Sequence, residues 1–286
     1  MDNLKAKKRH PEEIAVYTAI YVCAAFSVLL LLGIIIYVFA KGARRVNWAF
    51  LTGVTSILHG TVGIAGNILN TLIIILLTMI ITTPIGVGAA IYLNEYAKPG
   101  KLVTVIIFAT ETLAGIPSII FGLFGMLFFG QLCHMGYSLL TGSLTLTLMV
   151  LPLVTRNTQE ALKTVPDSFR TGAVGLGAGN WYTIRTILLP SAMPGIVTGV
   201  ILAIGRIIGE SAALLFTAGS AHLLPKTFDA FLEKIFHSGG TLTIQLYLSA
   251  SKGEFEVAFG IAVVLLVIVL LINFGTKRLA KKLEKH

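Results

Sequence analysis

Long uninterrupted apolar runs limit what this chain can become. No charged residue occurs over 14–40, and runs of similar texture begin near Ile68, Leu102, Leu139, Ile187 and Val257. A helix needs ~20 apolar residues to cross a hydrocarbon core. At that depth every backbone polar group must be paired within a helix or a closed barrel. These runs are too long for barrel strands and lack period-two alternation, so helices are expected. The first run outlasts the apolar core of a secretory signal, and no small-residue cleavage pattern precedes Lys41, so a retained helix is expected there.

Composition supports the same solvent. Hydrophobic residues make up 55% of the 286 positions and charged residues 12%, against about a quarter charged in soluble domains. Such a chain cannot cover itself with a polar surface, and membrane lipid is its expected partner. A net charge of +9 would suit nucleic acid, but the basic residues sit at the chain ends and in loops, with no basic stripe interleaved with aromatics. Nucleic-acid binding is therefore excluded. Cys23 and Cys133 lie in apolar stretches without metal-ligand spacing. They are expected to be buried and inert, and no metal or cofactor is implied.

Six membrane helices are expected, over 15–40, 68–93, 102–130, 139–155, 187–218 and 257–276. With six spans, both termini and alternate loops share a side. That set holds fifteen basic residues and the other set six, with Arg206 left inside a span. The positive-inside rule then makes both termini cytoplasmic. The expected fold is an all-α polytopic bundle. A basic cytoplasmic N-terminus over 1–14 precedes a transmembrane domain over 15–276, and a basic tail over 277–286 follows it. The main cytoplasmic loop is placed at 156–186 and the main extracytoplasmic loop at 219–256. Prolines 84, 117, 152, 190 and 194 punctuate the spans, as a membrane bundle tolerates. In the fifth span, Gly195 with Gly199 and Gly205 with Gly209 form two G-x-x-x-G patterns, which suggest an interior helix or a subunit contact.

The cytoplasmic loop has few charges for a solvated segment. Pro166, Asp167 and Ser168 read as a helix start, Gly175, Gly177 and Gly179 as its break, and Asn180 as the cap of a second short helix. Phe169, Val174 and Leu176 would then be offered to the cytosol, as a knob for another protein's groove or folded back on the bundle.

The spacing of Ala173, Gly177, Ile187, Leu189 and Pro190 resembles the cytoplasmic loop motif of ATP-binding-cassette importer permeases. The chain departs from that motif at its start, where Thr171 and Gly172 replace a Glu and an Ala. AIYLNEYA, ETLAGIPSIIFGLFG and GRIIGESAAL narrow the resemblance to phosphate-type, PstA-like permeases. The resemblance implies a type I-like permease core and no catalysis by the chain itself. It also implies a second, PstC-like permease, two copies of an ATPase subunit and an extracytoplasmic phosphate-binding protein. Asp167, Phe169, Thr171, Ala173, Leu176 and Gly177 would form the ATPase contact. The chain has no G-x-x-x-x-G-K-[ST] phosphate loop, so energy is expected from a partner.

Three charges fall inside spans: Glu111, Arg206 and Glu210. Each costs about 2.5–3.5 kcal/mol at a helix centre on insertion scales, which marks them as pathway candidates. Arg206 and Glu210 stand four apart, so a packing ion pair competes with a role for Arg206 on an anion. Another oxyanion such as molybdate or sulfate, and an ion-coupled carrier or channel, are the alternatives. The scattered charges show no organised nucleophile and base for a membrane enzyme.

Overall fold

The computed structural model describes residues 11–56, 61–225 and 227–283. Helix α1 spans Pro11–Gly42; a 3₁₀ turn, Ala43–Arg45, leads to α2, Trp48–Thr52. A small antiparallel hairpin follows, β1 Val54–Ser56 paired with β2 Thr61–Ile64. The chain re-enters as α3, Ala65–Ile91, extended by a π turn, Tyr92–Tyr96. Next come α4, Lys101–Gly115, and α5, Ser118–Gly125, the latter continued by a π segment, Met126–Leu132.

The central helix is α6, Leu139–Lys163. Its sequence is rich in threonine and serine, yet Leu139, Thr141, Ser143, Thr145 and Leu146 are all buried. This is possible because the hydroxyls are satisfied within the helix. Ser143 donates to the Leu139 carbonyl, Thr145 to Thr141 and Thr147 to Ser143, each at 2.8 Å. Without lipid-driven hydrophobic attraction between helices, small residues that allow close backbone approach take over. A Cβ on Gly195 would stand 2.5 Å from that of Ala161, and one on Gly199 2.7 Å from that of Asn157. The first G-x-x-x-G pattern is therefore an interior seam against α6.

The loop after α6 contains α7, Asp167–Gly175, and α8, Asn180–Thr183; a π turn, Ile184–Leu188, then leads into α9, Leu189–Gly209. After a break come α10, Ala212–Thr217, α11, Phe228–Glu233, and α12, Leu242–Ser251. The last helix, α13, spans Phe255–Leu283. The core lies around α3, α6, α9 and α10, with Ile74, Leu146, Val150, Ala203, Ile207 and Leu214 at its centre.

Five helices are long and apolar enough to cross a membrane, and α4 with α5 make a sixth candidate bent by 104°. That bent pair is one broken span, because its ends lie on opposite sides of the bundle. On one side, Glu95, just before α4, is tied to Arg170 of α7. On the other, Ser138, just after the π segment, donates its N–H to the Thr217 carbonyl at the end of α10. The start of α3 shares a face with the loop after α10, since Asn67 donates to the Gly240 carbonyl. Six spans result, as the apolar runs indicate.

Several details differ from the sequence reading. The third span is broken at Ile116–Pro117, because Pro117 cannot continue the N–H ladder of α4. The fifth breaks at Glu210–Ser211 and does not run on to Ala218. The fourth continues to Lys163, so Arg156 lies within a helix rather than in the loop. Gly179, not Asn180, occupies the cap position before α8, and no side chain caps it. Cys23 and Cys133 are exposed from the bundle rather than buried in it, because their apolar neighbourhoods face outward. The loop over 219–256 is itself partly helical: its α12 packs on α13, with Leu242, Ile244 and Gln245 buried.

Candidate functional site

Helices α4, α6 and α9 line a partly open pocket of about 120 Å³. Thr110, Glu111 and Ala114 come from α4; Met149, Pro152, Leu153 and Arg156 from α6; and Arg206 from α9. The α6 residues recur at three- and four-residue spacing, one stripe of the helix. Glu111 and Arg206, two of the intramembrane candidates, are thus brought together. Arg156 joins them, although the sequence reading placed it in a loop. Its signal was available: Arg156 stands four residues after Pro152 on the same helical face.

Glu210 is elsewhere. Its carboxylate accepts the Ala213 N–H at 3.0 Å, closing the open N-terminus of α10 after the break. Its backbone carbonyl accepts from the Thr243 hydroxyl at 2.8 Å, linking the break to α12. Among the described residues the ion pairs are Lys163–Glu160, Arg170–Glu95 and Arg170–Asp167. The Arg206–Glu210 packing pair is not formed, and neither Arg206 nor Arg156 pairs with Glu111. Arg206, Arg156 and Glu111 all face outward from the single chain. Gly205 and Gly209, beside Arg206, have nothing within 4 Å of the point where a Cβ would stand. The second G-x-x-x-G pattern therefore borders an open wall.

The face that carries α7 is organised by one guanidinium. Arg170 donates to both oxygens of Glu95, at 2.9 and 3.2 Å, and to Asp167 at 3.0 Å. It also donates to the carbonyls of Leu162 and Val165, each at 3.1 Å. The end of α3, the end of α6 and the start of α7 are tied to a single side chain. The Glu95 hydrogen bond chiefly holds the Arg170 guanidinium above its ordinary value. Ala173 is buried beneath α7, whereas Phe169, Val174 and Leu176 are exposed, Leu176 by 91%. The apolar knob is presented rather than folded back. Thr171 turns inward to its own helix, its hydroxyl donating to the Asp167 carbonyl at 3.2 Å. Gly177 has φ +81°, a left-handed conformation that glycine adopts without steric cost, and it turns the chain out of α7.

On the opposite face, Asn67 and Asn70 of α3 are fully buried and grip the loop after α10. Asn67 donates to the Gly240 carbonyl at 2.9 Å; Asn70 donates to Gly240 at 3.0 Å and to Ala221 at 3.2 Å. His222 packs here, its Nδ1 3.4 Å from the Asn67 amide. Burial, then Lys252, push its imidazole below the ordinary value. Lys234 is buried nearby and donates to the Leu223 carbonyl.

Residues 82–286 match the family described as binding-protein-dependent transport system inner membrane component. The chain belongs to that family of membrane permeases. A probable ABC transporter permease of Bacillus subtilis, YqgI, is 35% identical over 273 residues, covering 92% of this chain and 93% of its own. The phosphate transport system permease protein PstA of Xylella fastidiosa (strain Temecula1) is 34% identical over 244 residues, covering 84% and 82%. Among solved structures, the bacterial alginate ABC transporter crystallised with its pentasaccharide-bound periplasmic protein superposes with a TM-score of 0.71. Its identity is 14%, with 96% of each chain covered, so it supports the permease fold alone. The family match takes in the cytoplasmic end of α3 and every span after it. The pocket between α4, α6 and α9 therefore lies wholly within the permease core.

Proposed function

We propose that this chain is the membrane-spanning permease subunit of an ATP-driven importer of inorganic phosphate. Arg156 and Arg206 line the anion's path. The observation that carries the reading is their convergence in one intramembrane pocket with neither engaged in an ion pair. Two guanidiniums at that depth are costly in lipid, and each presents a planar fork of donors suited to a tetrahedral oxyanion. Glu111 in the same pocket competes with the anion for these cations and so favours release. Glu210 serves the path indirectly, by closing the N-terminus of α10. The open wall beside Gly205 and Gly209 suits a second, PstC-like permease, so that the path runs between two subunits.

The exposed knob of Phe169, Val174 and Leu176 fits a groove on an ATPase subunit, supplied in two copies. Asp167, Thr171, Ala173 and Gly177 shape and seat it. An extracytoplasmic phosphate-binding protein would deliver substrate to the face formed by 219–254. Support for phosphate over other oxyanions comes from the names of relatives about a third identical over most of the chain.

The test is labelled-phosphate uptake by the assembled complex in proteoliposomes. Arg206→Gln and Arg156→Gln should each lower uptake about tenfold to a hundredfold, the worth of one charge-assisted contact. Co-purification of the partner subunits should be unchanged. Normal uptake by either assembled variant removes that arginine from the path. Stronger competition by sulfate or molybdate than by unlabelled phosphate would reassign the substrate.

A further inference from the structure

A second cavity lies away from the pathway pocket. It lies between the end of α1 and the start of α13, with a volume of about 750 Å³. Lys41, Arg44 and Arg45 line one wall, Phe255, Glu256 and Phe259 the other, and Tyr37 closes the membrane side. Tyr37 and Phe259 meet edge to face, with ring centroids 5.7 Å apart, so the two helices are in contact just below the cations.

Three features of this cavity need an explanation. Its cations are half of the six basic residues on the extracytoplasmic side, where charge bias does not call for them. Among the described residues none of the three forms an ion pair, although Glu256 lines the same cavity. Arg45 lies over the Phe50 ring at 5.8 Å, and its Nε is buried without a hydrogen-bond partner. A buried guanidinium donor left unpaired is costly, and an anion in the cavity would lower that cost.

We infer that this cavity holds the headgroup of an anionic phospholipid from the extracytoplasmic leaflet. The shared chemistry is that of any phosphate-bearing anion, which guanidinium forks bind through paired N–H donors. Position selects the lipid. Both walls are ends of membrane-spanning helices, and the aromatic rings beneath the cations are of the kind that settles at headgroup depth. A headgroup there places its acyl chains along α1, whose outward apolar side chains, Ile34 and Tyr37 among them, are exposed. Three cations against one carboxylate leave a surplus positive charge, which favours an anionic over a zwitterionic headgroup.

The experiment is native mass spectrometry of the assembled importer carried in mixed nanodiscs of phosphatidylglycerol and phosphatidylcholine. The wild-type complex should retain phosphatidylglycerol in preference. Each basic side chain near an anionic surface is worth about fivefold, so Lys41→Gln/Arg44→Gln/Arg45→Gln should cut that retention about a hundredfold. Glu256→Gln should raise it about fivefold, which a merely structural role for the cavity would not produce. Excess inorganic phosphate should leave retention unchanged. Displacement by inorganic phosphate would make the site one for free anion and overturn the assignment. Equal retention by wild type and triple variant would also overturn it, as would an unresponsive Glu256→Gln.

Discussion

At the scale of single residues, the two ends of GRIIGE do different work. Arg206 has no acidic partner and lines a pocket. Glu210, one turn later, takes the Ala213 N–H that the helix break would leave open. An orphan N–H at a helix start is worth about 1 kcal/mol when a side chain accepts from it. Glu210→Gln keeps the accepting oxygen and should leave assembly and thermal stability nearly unchanged. Glu210→Ala removes it and should destabilise the subunit by about 1 kcal/mol. The comparison is made by thermal denaturation of the purified complex; equal loss in both variants would show that charge, not capping, is what Glu210 supplies.

At the scale of elements, two contacts tie the loops to the bundle, one on each face. On the cytoplasmic face Arg170 connects the presented knob of α7 to α3 through Glu95, with side chains 23% and 10% exposed. Where the family motif has a Glu at the position of Thr171, this chain makes its ion pair one residue earlier and to another helix. Breaking such a pair from one side strands a largely buried charge. Arg170→Gln should cost about 2–3 kcal/mol, below the about 3–5 kcal/mol of fully buried pairs because the guanidinium is partly solvated. Uptake should fall further than ATP hydrolysis does, and the reciprocal swap Arg170→Glu/Glu95→Arg should recover part of it. Parallel loss of uptake, hydrolysis and assembly, without recovery in the swap, would reduce the contact to a structural one.

On the opposite face, His222 is half-buried beside Asn67 with its imidazole pushed below the ordinary value, first by burial and then by Lys252. The folded loop therefore resists a proton that the unfolded segment accepts. The contribution of His222 is undiminished above an ordinary imidazole pKa of about 6.5 and is lost as pH falls below it. With exchange normalised to the intrinsic amide rate at each pH, protection across 219–241 should fall as pH is lowered from about 7.5 to about 5. His222→Gln should flatten that dependence; an unchanged pH profile in the variant would assign the acid sensitivity to another group.

At the scale of the whole molecule, the two tied faces define an orientation that can be checked directly. Glu233 is exposed on the extracytoplasmic loop, whereas Ser238 is only half exposed and sits close against Gly219. A cysteine at Glu233 should be modified by an impermeant maleimide on intact spheroplasts, and one at Ser238 more slowly. A cysteine at Lys163, at the cytoplasmic end of α6, should react only after permeabilisation. The reverse pattern would invert the topology.

The membrane helices and the family were legible from residue order. A bilayer demands apolar length, and a glycine-broken loop keeps its spacing wherever it is folded. The knob of Phe169, Val174 and Leu176 was also visible, because apolar residues rarely occupy a short polar loop without purpose. What residue order did not carry was which distant groups meet. The meeting of Arg156 with Arg206 depends on α6 lying at the centre of the bundle, and hydroxyl groups bonded within the helix allow that polar sequence to be buried. The partnership of Arg170 with Glu95 joins residues 75 apart. Glu210 faced two local partners that the sequence ranked equally, Arg206 one turn before it and the N–H groups after it. Only the break at Ser211, fixed by packing of α10 against α5, turned its carboxylate toward Ala213.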